Sequence, residues 1–174
     1  MFTDGSQRET VQLNPDSNGN AWFVNDIEIV DDANKEIKAL DSLNTKNEAV
    51  IDLRLITEEF KNKYPIDSVA TIELTSYKTN ELEYKTYSEQ PQFAVFSEIY
   101  YKNGWNAYID GKLTTHYRVN YILRGMEIPK GTHIINFKFE PTVIQTGNTI
   151  SLLSYVFLLI IPVGWFIVKN RKKK

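Results

Sequence analysis

Apolar residues follow two different patterns along the chain. Between residues 21 and 139 they recur in short runs, most of them alternating with polar residues and separated by turn residues. From residue 150 to residue 168 the sequence ISLLSYVFLLIIPVGWFIV shows no alternation and no charge over 19 positions. The first pattern predicts strands with one buried face. The second is close to the ~20 apolar helical residues that cross a bilayer, and the basic residues Lys169, Arg171, Lys172, Lys173 and Lys174 follow it at once. Pro162 and Gly164 are compatible with a membrane helix.

Read in order, residues 1–20 are loop-like, with Asn14, Pro15, Asp16, Asn18, Gly19 and Asn20 crowded together. Residues 21–30 (AWFVNDIEIV) predict one strand. A short helix then follows behind Asp32 as N-cap, with Ala33, Ile37 and Leu40 as its apolar stripe. Residues 48–55 alternate again. Residues 68–77 place Ala70, Ile72 and Leu74 on one face and Val69, Thr71, Glu73 and Thr75 on the other. After a turn at Asn80 and Glu81 comes LEYKTY, and then residues 92–101 (QFAVFSEIYY), the most apolar strand and the expected centre of the sheet. Lys102, Asn103 and Gly104 turn the chain into residues 105–109. Asp110 and Gly111 form the pair favoured in a type I′ hairpin. Residues 117–123 (YRVNYIL) and 133–139 (HIINFKF) complete the series, and Pro141 ends it.

The expected fold is mainly β, a β-sandwich or jelly-roll-like domain with one short helix, followed by a single C-terminal transmembrane helix. A βαβ architecture is disfavoured because no helix of ten to fifteen residues separates successive strands. The expected division is an N-terminal segment 1–20, a β domain 21–141, a linker 142–149, a membrane helix 150–168 and a basic tail 169–174. Lys and Arg accumulate on cytoplasmic flanks, so the tail is expected inside and the β domain outside the cell membrane.

Charge narrows the partners. Residues 1–168 hold 15 Lys and Arg against 22 Asp and Glu, a net −7, opposite in sign to a nucleic-acid-binding surface. There is no cysteine, which excludes disulfide staples and thiol chemistry. The first residues, MFTDGSQRET, lack the apolar core of an export signal. Two readings follow from this: a C-terminal piece of a longer membrane protein whose earlier helices begin translocation, or a tail-anchored domain. The first is favoured.

The run VFSEIYYKNGWNAYIDGK, then RVNYILRGMEIPKGTHIINFKFEP and a terminal membrane helix with a basic end, resembles the C-terminal portion of the YfhO family of bacterial polytopic membrane proteins. NAWFV and LTSYKTNELEYKT look like the matching earlier parts, so the likeness covers nearly the whole chain. The resemblance implies a large extracytoplasmic C-terminal region, and a similarity to membrane glycosyltransferases that take sugars from a polyprenyl-phosphate carrier. It also implies catalytic carboxylates in an early extracytoplasmic loop, outside this sequence, and the remaining membrane helices of the same protein as partners. Gly125 stands where the family often has alanine.

The candidate chemistry is sparse. His116 and His133 are the only histidines and have no metal-ligand spacing, so neither a metal nor a cofactor is expected. Glu98 lies in the most apolar strand. It either meets a ligand, as hydrogen-bond acceptor or proton donor, or forms a salt bridge with Arg118 or Arg124, the preferred reading. The better binding candidates are aromatic: Tyr100, Tyr101, Trp105, Tyr108, Tyr117 and Tyr121 are interleaved with Asn103, Asn106, Arg118, Asn120 and Arg124. Flat rings cover sugar faces, and amides and guanidinium groups satisfy hydroxyls. The same rings are also ordinary strand residues, so at least half of the six aromatics should be packing. Trp105 serves equally as a stacking platform or as a lock on its hairpin. A third use is interfacial, with Tyr155, Trp165 and the ring-bearing edge of the domain resting against lipid headgroups. No catalytic residue is expected. The leading expectation is a noncatalytic module positioning a glycan or envelope-polymer acceptor. The alternative is a membrane-anchored structural or protein-interaction module.

Overall fold

The computed structural model describes residues 2–3, 9–10, 14–56 and 59–171. The last three lysines of the expected basic tail lie outside them. Two short strands, β1 (Phe2–Thr3) and β2 (Glu9–Thr10), pair antiparallel within the segment expected to be loop-like. The chain continues through β3 (Ala21–Val24), β4 (Asp26–Val30), α1 (Ala33–Ala39) and β5 (Glu48–Asp52), and then a single turn of 3-10 helix at Leu53–Leu55. Next come β6 (Thr71–Lys78), β7 (Glu81–Ser88), β8 (Gln92–Ile99), β9 (Trp105–Ile109), β10 (Lys112–Thr114), β11 (Tyr117–Val119), β12 (Leu123–Ile128) and β13 (Gly131–Phe139). A long helix, α2 (Thr142–Arg171), ends the described chain.

Two antiparallel sheets form the sandwich. One has the order β10-β9-β13-β7-β6 and the other β11-β12-β8-β3. Between them lie Leu82, Tyr84, Ala94, Phe96, Ala107, Met126, Ile128, Ile135 and Phe137, with Ile72 and Leu74 packed at the margin. The expected alternation in residues 68–77 therefore holds. Burial along β7 also has a period of two, with Leu82, Tyr84, Thr86 and Ser88 inside.

β8 lies between β12 and β3 and is covered on both faces. Ala94 and Phe96 enter the inter-sheet core, whereas Phe93 and Val95 join Val24, Ile27, Ala49, Ile51, Tyr64, Tyr117 and Val119 in a second core. Five consecutive buried residues, Gln92 to Phe96, follow from this double coverage. Gly125 gives β12 its close approach there: a β-carbon on it would stand 2.6 Å from the Phe93 ring.

The second core is closed by a layer not expected from sequence. β4 and β5 run parallel, joined across α1, so the fold contains one small β-α-β crossover. Seven helical residues suffice because loops on both sides lengthen the connection. The strand expected over 21–30 accordingly breaks at Asn25, whose N–H donates to the Asn47 carbonyl and whose carbonyl accepts from Tyr64 N–H. β3 pairs with β8 before the break, and β4 pairs with β5 after it.

Asp32 caps α1 as expected, its carboxylate accepting from the N–H groups of Asn34 and Lys35 at 2.9 Å. The inward face differs: Ile37 is 48% exposed and Glu36 is fully buried. Asp110 and Gly111, at φ 51° and 79°, make the expected tight turn between β9 and β10.

Residues 142–149, expected as a linker, are helical and belong to α2. The span long and apolar enough to cross a membrane covers Thr142–Trp165 and is not buried against the sandwich. Pro162 sits inside the helix without ending it. The molecule is a β-sandwich with a membrane helix.

Candidate functional site at the helix-proximal end

Strand direction brings most of the candidate residues to one end of the sandwich. Phe139, the last residue of β13, pairs with Trp105, the first of β9, and its N–H donates to the Asn80 carbonyl in the β6–β7 turn. Ile99 at the end of β8 pairs with Leu123 at the start of β12, and Tyr100 N–H donates to the Ile122 carbonyl at 2.7 Å. The loops at 79–80, 100–104 and 120–122 thus share the end from which α2 departs.

Arg124 is the centre of the first cluster. It is 2% exposed, donates Nε to the Ile99 carbonyl at 3.0 Å, and lies 4.3 Å from the Trp105 ring centre and 5.0 Å from that of Phe137. Burial lowers its affinity for the proton, and the field of Glu98 opposes that shift. The expected salt bridge is absent: among the described residues no ion pair joins Glu98 to Arg124 or Arg118. Aromatic faces and a carbonyl replace the carboxylate as partners of Arg124, because its inward course runs between two rings. Trp105 is half-buried under the guanidinium, with Phe139 at 5.4 Å between ring centres. Beside this cluster Tyr100 packs on His116 at 5.2 Å, and His116 on Phe137 at 5.7 Å. Burial pushes the His116 pKa down to about 4, with nearby Arg124 adding to the shift.

The second cluster joins α1 to the β11–β12 loop. Arg118 Nη2 donates to Glu36 Oε2 at 2.7 Å, and Tyr121 N–H donates to Glu36 Oε1 at 2.9 Å. Asn120 Oδ1 accepts from Val50 N–H at 2.9 Å, and Asn120 N–H donates to the Val50 carbonyl at the same distance. Asn120 and Tyr121 hold φ of 48° and 70°, an unusual conformation for a tyrosine. Burial raises the Glu36 pKa, while the Tyr121 N–H and Arg118 act against it. These bonds fasten the β-α-β layer to the sandwich. Tyr117 is buried beside them, packed edge-on against Phe60 at 5.1 Å.

A groove of about 570 Å³ opens where the sandwich meets the helix, lined by Tyr101, Asn103, Gly104, Asn106, Glu140 and the first turn of α2. Glu140 Oε2 accepts from Asn106 Nδ2 at 2.9 Å and from the Tyr108 hydroxyl at 2.7 Å. Those two bonds hold its carboxyl below the usual range, so it is an ionised acceptor. The groove therefore combines an exposed phenol, two amides, a carboxylate and the Lys102 ammonium. Of the aromatic candidates only Tyr101 lines it.

The fold thus divides the sequence candidates into three settings. Arg124, Trp105 and Tyr100 pack with Glu98 nearby, Arg118, Asn120, Tyr121 and Tyr117 tie layers together, and Tyr101 faces the groove. Glu36 and Glu140 were not singled out from sequence. A carboxylate one position before Ile37 on a short amphipathic helix reads as solvent-facing. Glu140 could have been found from its position between Phe139 and Pro141, at the strand-to-helix junction. His133 is engaged by Asp110 and the Lys130 carbonyl at the opposite end. Among the described residues no cluster of side chains has the makings of a metal site.

Neither a curated protein nor a solved structure matches the chain. A sequence-family profile described as bacterial membrane protein YfhO matches residues 38–151, which run from the end of α1 through every later strand into α2. With most of its length inside that profile, the chain belongs to the YfhO family.

Proposed function

We propose that this part of a YfhO-family protein holds a glycan or envelope-polymer acceptor close to the membrane surface. Sugar transfer from a polyprenyl-phosphate carrier would fall to the carboxylates of an early extracytoplasmic loop that the family resemblance implies. The observation that carries the reading is the groove between the 100–104 loop and α2. Tyr101 supplies a ring for a sugar face, Asn103 and Asn106 supply amides, and Glu140 supplies an ionised acceptor for hydroxyls. One hydrogen-bonded carboxylate with a depressed pKa suits binding rather than proton donation, so the role is noncatalytic. The proposed topology puts the sandwich outside the cell membrane and the basic end of α2 in the cytoplasm.

The test is a glycan array probed with the whole chain in lipid nanodiscs, beside Tyr101→Ala and Asn106→Ala variants of unchanged sheet content. Saturable binding weakened roughly tenfold or more in both variants is expected, equivalent to about 1.4 kcal/mol. Binding indifferent to both substitutions overturns the assignment to the groove. The second reading, a structural or protein-interaction module, is favoured by the burial of Tyr117, Asn120 and Arg124, which are committed to packing. A folded chain that binds no glycan would support it.

A further inference from the structure

We propose that the sandwich itself makes a second contact with the bilayer, seating Ile99, Tyr101 and Ile122 in the lipid headgroup layer beside α2. These residues are 68%, 50% and 51% exposed, large values for apolar groups at one end of a packed domain. Ile99 ends β8, Tyr101 lies in the loop that follows it and Ile122 in the β11–β12 loop, and the bond from Tyr100 N–H to the Ile122 carbonyl holds these segments side by side. Scattered exposed apolar residues need no explanation, but a group joined to a membrane helix does.

The juncture with α2 identifies the occupant. Only Glu140 and Pro141 separate β13 from α2. Tyr101 lines the same groove as Val143 and Ile144, which are themselves 80% and 57% exposed in the first turn of α2. Tyr101 thus links the exposed end of the loops to the apolar first turn of the helix that the bilayer surrounds.

Height agrees with this where the apolar span begins. That span starts at Thr142, so the edge of the hydrocarbon falls beside the first turn of α2, and the loops that share its groove lie in a headgroup layer about 5–8 Å thick. An edge at Ile150 would instead leave residues 142–149, ~12 Å at 1.5 Å per residue, between the hydrocarbon and the loops, beyond that layer. Tyr101 followed by Lys102 fits the headgroup depth, an amphipathic ring beside a long side chain that keeps its ammonium in water. Ile99 and Ile122 lie outside the groove, so their seating is tested separately from glycan binding, whereas Tyr101 is shared with it.

The absence of cysteine makes the test direct. Single variants Ile99→Cys, Ile122→Cys and Ile66→Cys of the whole chain are labelled with a fluorophore. They are reconstituted in phosphatidylcholine and phosphatidylglycerol vesicles containing a nitroxide-headgroup lipid. Ile66 is the control, 83% exposed and next to Asp67, whose carboxylate accepts from Glu89 and Gln90 N–H in the turn at the far end of β7. Quenching at 99 and 122 roughly twofold or more above that at 66 is expected for side chains seated at the interface. Equal quenching at the three positions overturns the proposal. So does shielding of 99 and 122 from both the lipid nitroxide and aqueous iodide, which would mean that a protein surface covers them.

Discussion

Arg124 and His116 are neighbours in the same interior, and the fold treats their charges oppositely. The guanidinium stays charged between two aromatic faces, where a desolvated cation–π contact contributes on the order of 2 kcal/mol. The imidazole, packed between Tyr100 and Phe137, is kept neutral, with its pKa lowered from 6.5 to about 4. The unfolded chain takes up a proton below pH 6.5 that the native ring refuses, so stability falls as pH drops from 6.5 towards 4. The full loss is roughly 3 kcal/mol. His116→Phe should flatten this slope, as read from urea unfolding of the whole chain in detergent at a series of pH values. A slope that survives the substitution would assign it elsewhere. His133 does not supply it: its pKa is raised by the hydrogen bond to Asp110, so its contribution is full below pH 6.5 and fades as pH rises through the raised value. Asp110, depressed by the same bond, contributes above pH 3.8 and loses that contribution as pH falls through its lowered value.

Among the elements, α1 and β8 differ most in how much of their role is visible in sequence. β8 is recognisable from QFAVFSEI because the unbroken apolar stretch Phe93 to Phe96 is what a strand covered on both faces requires. In α1 the cap at Asp32 was legible and the buried face was not. The spacing of Ala33, Ile37 and Leu40 pointed one way, and Glu36 went in because Arg118 and the Tyr121 N–H, more than 80 residues later, offer it partners. Removing one member of a buried pair leaves the other uncompensated, so Glu36→Ala is expected to cost about 3 kcal/mol or more. The Glu36→Ala, Arg118→Ala double variant should cost less than the sum of the single ones, measured by the same unfolding experiment. Additive costs would show that the two side chains act independently. The break at Asn25 has the same origin: AWFVNDIEIV reads as one strand until β8 and β5 claim its two halves.

The whole molecule is a sandwich fixed to a membrane helix by two residues, and its orientation is a property of the full chain. The basic flank after Trp165 predicts that the sandwich is protected from added protease in inside-out vesicles and digested in right-side-out cells stripped of their wall. Digestion of the sandwich in the inside-out vesicles would reverse the proposed topology. The sequence by itself determined the β class, the tight turn at Asp110 and Gly111, the membrane helix and the family, because alternation, turn chemistry and apolar length are local properties of the chain. Only the tertiary structure decided which carboxylates were buried or brought to the groove, that Trp105 lies under Arg124, and that β4 and β5 form a parallel layer. Each of these depends on partners distant in sequence, and a buried charge or ring is stable only where the folded chain delivers those partners to it.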